Sequence, residues 1–137
     1  VYISKDEYPL YMPKCKNLIK IDDHAKIKIG SVEFELIRTP GHSPGCQLIK
    51  HGNTVICGDT IFINGCGRCD IPGSDPKAQY KSLYEIVMKL PDSAVLYPGH
   101  DYGPAPHDTV GGQKKTNPYL LCHSLEEFLE HRMGIIL

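Results

Sequence analysis

The chain has 137 residues, 41% of them hydrophobic and 23% charged, which suits one globular domain or a large piece of one. Fifteen Lys plus Arg against sixteen Asp plus Glu give a net charge of −1, and that balance excludes an electrostatic case for nucleic acid or anionic membrane as a partner. No apolar run approaches the roughly 20 residues that cross a bilayer, and Val1-Tyr2-Ile3-Ser4-Lys5 has neither the basic nor the apolar region of a signal peptide.

Tyr2-Ile3 reads as a short strand, and Asp6 to Met12 as a helical turn stopped by Pro13. Lys26 to Ile29 alternates with period two, as a half-buried strand does. Gly30-Ser31 then turns the chain into a second alternating run, Val32 to Ile37. Cys46 to Lys50 and Thr54 to Cys57 flank the turn His51-Gly52-Asn53 and form another hairpin. Asp75 caps a helix that opens with Pro76. Tyr80, Leu83, Tyr84, Val87, Met88 and Leu90 follow at helical spacing, so the helix runs from Pro76 to Leu90 and stops at Pro91-Asp92. Ala94 to Tyr97 is a short apolar strand, and Pro98 to Gly112 is a Gly- and Pro-rich loop. Ser124 and Glu127 form a capping box before a last helix carrying Leu125, Phe128, Leu129 and Met133. The class is α/β, with a mixed, mainly hairpin-built sheet and flanking helices.

The six cysteines, Cys15, Cys46, Cys57, Cys66, Cys69 and Cys122, read as free thiols in a reducing cytosol, since the regular pattern needs no disulfide staples. A structural zinc site on Cys66-x-x-Cys69 would need a second pair of ligands at similar spacing, and no second CxxC exists.

Metal-binding residue types appear where strands stop. Three apolar runs lead in turn into Thr39-Pro40-Gly41-His42, Gly58-Asp59 and Pro98-Gly99-His100. Each places an imidazole or a carboxylate just past a strand, with a glycine that permits close backbone approach. Imidazole with carboxylate is the ligand set of zinc or non-haem iron. His42, Asp59 and His100 are therefore the candidate ligands. His24, His51, His107 and His123 lack this context.

These residues carry a resemblance. Thr39-Pro40-Gly41-His42-Ser43-Pro44-Gly45, Cys57-Gly58-Asp59-Thr60 and Tyr97-Pro98-Gly99-His100 resemble, in order and spacing, three motifs of the metallo-β-lactamase superfamily. Asn64-Gly65-Cys66-Gly67-Arg68-Cys69-Asp70, His100-Asp101-Tyr102 and Lys115-Thr116-Asn117-Pro118 look like segments shared by its glyoxalase II and persulfide dioxygenase branches. Cys69 departs from both branches, while Asp70 matches the dioxygenase pattern better. The family's first motif, H-x-H-x-D-H, is absent from the 137 residues. The expected fold is the second half of an αββα sandwich, the C-terminal part of one domain, whose open sheet face would favour self-association.

The resemblance implies that His42 binds one metal, His100 a second, and Asp59 bridges both as the catalytic carboxylate. It places Arg68 and Tyr102 against the glutathione part of a substrate. The implied activity is cytoplasmic hydrolysis of a glutathione-type thioester by water activated on two zinc ions. The alternatives are an iron-dependent persulfide dioxygenase and a non-catalytic fragment. From the residues alone, Arg68 has a second role open to it, an ion pair with Asp70 or Asp75 that shapes the loop.

Overall fold

A computed structural model describes residues 1–134. Ten short strands form one six-stranded sheet and two small ribbons. The ribbon of β1 (Tyr2–Ser4) and β2 (Ile19–Ile21) is parallel. The large sheet uses β3 (Ala25–Ile29), β4 (Val32–Arg38), β5 (Gln47–His51), β6 (Thr54–Gly58), β9 (Val95–Pro98) and β10 (Asp108–Thr109). Between β6 and β9 in sequence lies a separate hairpin, β7 (Ile61–Phe62) with β8 (Gly65–Cys66). Spatial order in the large sheet is β10-β9-β6-β5-β4-β3, antiparallel throughout except for β6 beside β9. Consequently β4, β6 and β9 all run the same way, and their C-terminal ends share one edge of the sheet.

The alternating hydrophobic pattern assigns the two faces of this sheet. Leu48, Val55 and Leu96 are sealed on one side, against Leu83, Val87 and Phe128 of the helical layer. Their neighbours Leu36, Ile49, Ile56 and Tyr97 pair across four strands on the other side. Ile56 and Tyr97 there are 45% and 40% exposed, so an apolar stripe faces outward.

The helices follow their signals with three corrections. The segment from Pro76 is α-helical only to Lys81 (α1, Pro76–Lys81), widens into a π-type turn over Ser82–Ile86, and ends as a 3-10 turn over Val87–Lys89. Asp75 caps it through the amides of Lys77 and Ala78. Leu83 and Val87 are both fully buried, and Ser82 donates to the Pro40 carbonyl at 2.7 Å. The loop expected from Pro98 to Gly112 ends early. Asp108–Thr109 adds an edge strand, and Val110–Thr116 forms helix α2 despite its glycine pair. Thr109 caps that helix by accepting from Gly112, which offsets part of the local cost of its two glycines. The expected turn over Asp6 to Met12 contracts to Pro9–Tyr11, and β2, β7 and β8 carry no usable period at two or three residues each. The last helix, α3, spans Leu125–Met133 and Ser124 accepts from Glu127 as expected. Glu127 reaches back to the amide of His123 rather than to that of Ser124.

A buried amide knots the β7–β8 hairpin to α2. Asn117 is fully buried; its side-chain nitrogen donates to the carbonyls of Phe62 and Gly65, and its oxygen accepts from the Tyr119 amide. Asn117→Ala is expected to lower stability by about 2–3 kcal/mol, because those groups lose their partners away from water. Equilibrium unfolding in denaturant measures this, and a change under about 0.5 kcal/mol would place the hairpin's anchor elsewhere.

Candidate metal centre

The shared sheet edge gathers the three expected ligands. His42 follows β4, Asp59 follows β6 and His100 follows β9. His42 Nε2 lies 3.3 Å from Asp59 Oδ2, and His100 Nε2 lies 3.4 Å from Asp59 Oδ1. The carboxylate thus stands between two imidazoles and turns one oxygen to each. Both distances exceed the 2.7–2.9 Å usual for a charged hydrogen bond. They match two donors on one tetrahedral ion, which sit about 3.4 Å apart at metal–ligand distances of ~2.1 Å.

Protonation of the His42 ring sharpens the point. Its Nδ1 lies 2.9 Å from the Arg68 carbonyl, which can only accept, so Nδ1 carries the hydrogen. In the neutral ring, Nε2 then directs a lone pair at a carboxylate oxygen. A cation placed between those two lone pairs, a proton or a metal ion, would satisfy both. A backbone carbonyl that fixes the tautomer in this way is the usual support for a metal-bound histidine. Among the described residues, no group of three or more His, Cys, Asp or Glu side chains could by itself hold a metal ion. The arrangement is two pairs of donors sharing Asp59, not one closed cage. All six cysteines are free thiols. Burial pushes the thiols of Cys66 and Cys69 up to about 12.

The loops that carry the ligands leave no room for error. A Cβ on Gly67 would run into the Asp59 carbonyl and come within 2.9 Å of His42 Cβ. On Gly99 it would come within 2.8 Å of Asp59 Oδ1. Gln79, fully buried in α1, joins two of the loops. Its oxygen accepts from the His42 amide at 3.0 Å, and its nitrogen donates to the Thr60 carbonyl at 2.7 Å. Beside it the buried hydroxyls of Thr39 and Thr60 bond each other at 2.7 Å.

A cavity of about 380 Å³ opens in front of the carboxylate. His42, Asp59, Arg68, His100 and Tyr102 all line it, so the five residues singled out in the sequence meet at one place. Tyr102 stacks on His100 at 4.7 Å and meets Phe62 edge-on at 5.3 Å. Arg68 is already engaged: Nε and Nη2 donate to the two oxygens of Asp70 at 2.6 and 2.8 Å. That guanidinium holds the exposed Asp70 carboxyl down to about 2. A depressed carboxyl keeps its pair above the ordinary carboxylate range and loses it only as pH falls towards 2, so the pair stands at neutral pH. Sequence reading missed Gln79, Tyr119 and Arg132. The last two line the cavity from the segment around α3, where helical periodicity speaks only of the core.

Comparison with known proteins places this geometry. The family model described as the metallo-beta-lactamase superfamily matches residues 2–100. The chain is 33% identical over 132 residues to a probable polyketide biosynthesis zinc-dependent hydrolase, PksB, of Bacillus subtilis, covering 96% of this chain and 59% of the relative. It is 32% identical over 131 residues to the human mitochondrial persulfide dioxygenase ETHE1, covering 87% of this chain and 51% of that protein. Its structure superposes on ETHE1 from Myxococcus xanthus with a TM-score of 0.84 at 26% identity, over 98% of this chain and 58% of the other. TTHA1623, solved in a di-iron-bound form, matches with a TM-score of 0.72 at 30% identity, over 87% of this chain and 64% of the other. The chain therefore spans between half and two thirds of the length of these relatives.

Proposed function

The chain belongs to the metallo-beta-lactamase superfamily, and on that footing we propose that it supplies part of a two-metal centre for hydrolysis of a thioester of a glutathione-type thiol. The single observation that carries this reading is the carboxylate of Asp59 set between two imidazoles at 3.3 and 3.4 Å. Asp59 would bridge the ions, His42 would hold one and His100 the other. Each ion then has two protein donors here. The rest would come from sequence outside the 137 residues, and so would the cover for the apolar stripe on the sheet. Similarity to a zinc-dependent hydrolase supports zinc, and similarity to a di-iron protein keeps iron as the alternative.

When bound, the metal pair supplies a Lewis acid and lowers the pKa of a water to about 7. The chain's own residues do the positioning. The Arg68 carbonyl fixes the His42 tautomer. Gln79 holds the His42 and Thr60 backbones at a set separation. Tyr102 and Phe62 give the cavity an aromatic wall beside His100, against which the substrate's thiol-bearing arm can lie. Resemblance to persulfide dioxygenases in both sequence and structure supports a second reading, oxidation of a glutathione persulfide.

Metal analysis and two assays on the protein that carries this chain decide between them. The hydrolase reading expects zinc and release of thiol from a glutathione thioester, with no oxygen consumed. Iron, with oxygen uptake on glutathione persulfide, would replace it with the dioxygenase. Neither metal nor turnover would leave a non-catalytic member of the family.

A further inference from the structure

We propose that Asn64, at the tip of the β7–β8 hairpin, donates its side-chain N–H2 to an amide carbonyl in the thiol arm of the substrate, and so selects amide-bearing thiols. The inference deepens the proposed function and rests on its reading of the cavity as the place of a thiol-derived substrate.

Phe62 pairs with Gly65, so Ile63 and Asn64 make the turn between β7 and β8. Asn64 is exposed, lines the cavity in front of Asp59, and has a left-handed backbone with φ of 58°. Asparagine tolerates that conformation better than most side chains do. Its own side chain is held from behind. Gln113, fully buried in α2, accepts from the Asn64 backbone amide at 2.7 Å through its oxygen. The Gln113 nitrogen donates to the Asp108 carboxylate at 2.8 Å, so the orientation of Gln113 is fixed at both ends. That same nitrogen reaches Asn64 Oδ1 at 3.4 Å, and the Thr116 hydroxyl donates to Oδ1 at 2.8 Å. The end of Asn64 that meets α2 is therefore its oxygen. The other end is an N–H2 with no hydrogen-bond partner among the described residues.

An exposed asparagine ordinarily turns freely in water. Here the turn and the two donors on Oδ1 fix the amide plane, so a ligand that accepts from the N–H2 orders little more of the protein. The wall beside it is aromatic. Phe62, two residues earlier, meets Tyr102 edge-on at 5.3 Å, and both line the same cavity. An arm lying on that wall runs past the turn. The donor is neutral, and Arg68 at the same cavity is already paired with Asp70. A neutral N–H2 suits a neutral carbonyl, whose desolvation costs far less than that of a carboxylate. Amide carbonyls stand in the arms of glutathione and of pantetheine, whereas a simple alkyl thiol has none.

Calorimetric binding of unreactive S-methyl thioethers to the protein that carries this chain tests this. The probes are S-methylpantetheine, S-methylglutathione and the diethyl ester of the latter, which keeps its amides and blocks its carboxylates. Asn64→Asp tolerates the turn and keeps an acceptor for Thr116 and Gln113, but has no N–H2. Asn64→Gly keeps the turn and removes the whole side chain. Both variants are expected to weaken one of the two neutral probes, S-methylpantetheine or the diester, about three- to tenfold. The neutral probe that responds names the arm. Asn64→Asp should also raise KM with little change in kcat. Melting curves report the fold, and Asn64→Gly decides by the same limits if Asn64→Asp does not fold. A folded Asn64→Asp that weakens both neutral probes less than about threefold overturns the proposal, because Asn64 then only shapes the turn. A wild type that binds neither neutral probe overturns it, and so does a loss confined to S-methylglutathione, which would make a carboxylate the acceptor. Turnover separates the two readings. A wild type without thioesterase or dioxygenase activity but with Asn64-dependent binding overturns the proposed function and keeps the contact. An active enzyme whose affinity for these probes ignores Asn64 does the reverse.

Discussion

Asp59→Asn is expected to strip the metal centre and lower turnover by about 10³-fold, the equivalent of about 4 kcal/mol of transition-state stabilisation. The substitution is nearly isosteric, so packing changes little. What changes is the donor set. Asp59 presents Oδ2 to His42 and Oδ1 to His100, and asparagine replaces one of those oxygens with an N–H2 that cannot bind a metal. On the proposed reading, the charge that would hold both ions in place is lost with it. Metal content by elemental analysis should fall for both ions together, because one carboxylate serves both. Metal stabilises whatever state binds it. The loaded wild type should therefore melt higher than the metal-free protein, and the variant should show no such gain. Full metal retention with wild-type turnover in Asp59→Asn would remove Asp59 from the centre.

Gln79→Leu is expected to cost about 2–4 kcal/mol of stability and to weaken metal binding about 10- to 100-fold. Leucine fills nearly the same space, so no cavity opens. It does strip partners from the His42 amide and the Thr60 carbonyl, both tied to Gln79 in the interior. With the tie gone, His42 and Asp59 are no longer held at a fixed separation, and the ligand pair loses its preorganisation. Gln79→Glu keeps an acceptor for the His42 amide but buries a charge and removes the donor to Thr60, so it should do no better. Denaturant unfolding and metal titration read the two effects separately. A loss of stability without a loss of affinity would confine Gln79 to the fold.

The candidate centre was legible because three of its residues share one local pattern. An apolar run, a glycine and then His42, Asp59 or His100 occurs three times. Period-two alternation marked β3 to β6, since each lies in a sheet with one sealed face. The shortest elements were not legible. At two residues apiece β7, β8 and β10 show no period, and α2 carries two glycines against its helical propensity. Their form comes from partners far along the chain, such as Asn117 on Phe62 and Gly65.

By itself the sequence singled out His42, Asp59 and His100 as candidate ligands, since residue type and strand-end position are local properties that a linear pattern can hold. It also placed Arg68 within reach of Asp70, two positions away, and left its partner open. Only the tertiary structure decided that β9 lies parallel to β6, which brings His100 to the same edge as His42 and Asp59. It alone set Gln79 between the two ligand loops, closed Arg68 onto Asp70, and brought Arg132 from a distant helix to the cavity. The physical reason is separation in sequence. Periodicity and capping act over a few residues, whereas these contacts join positions dozens of residues apart and exist only once the sheet has fixed which loops are neighbours.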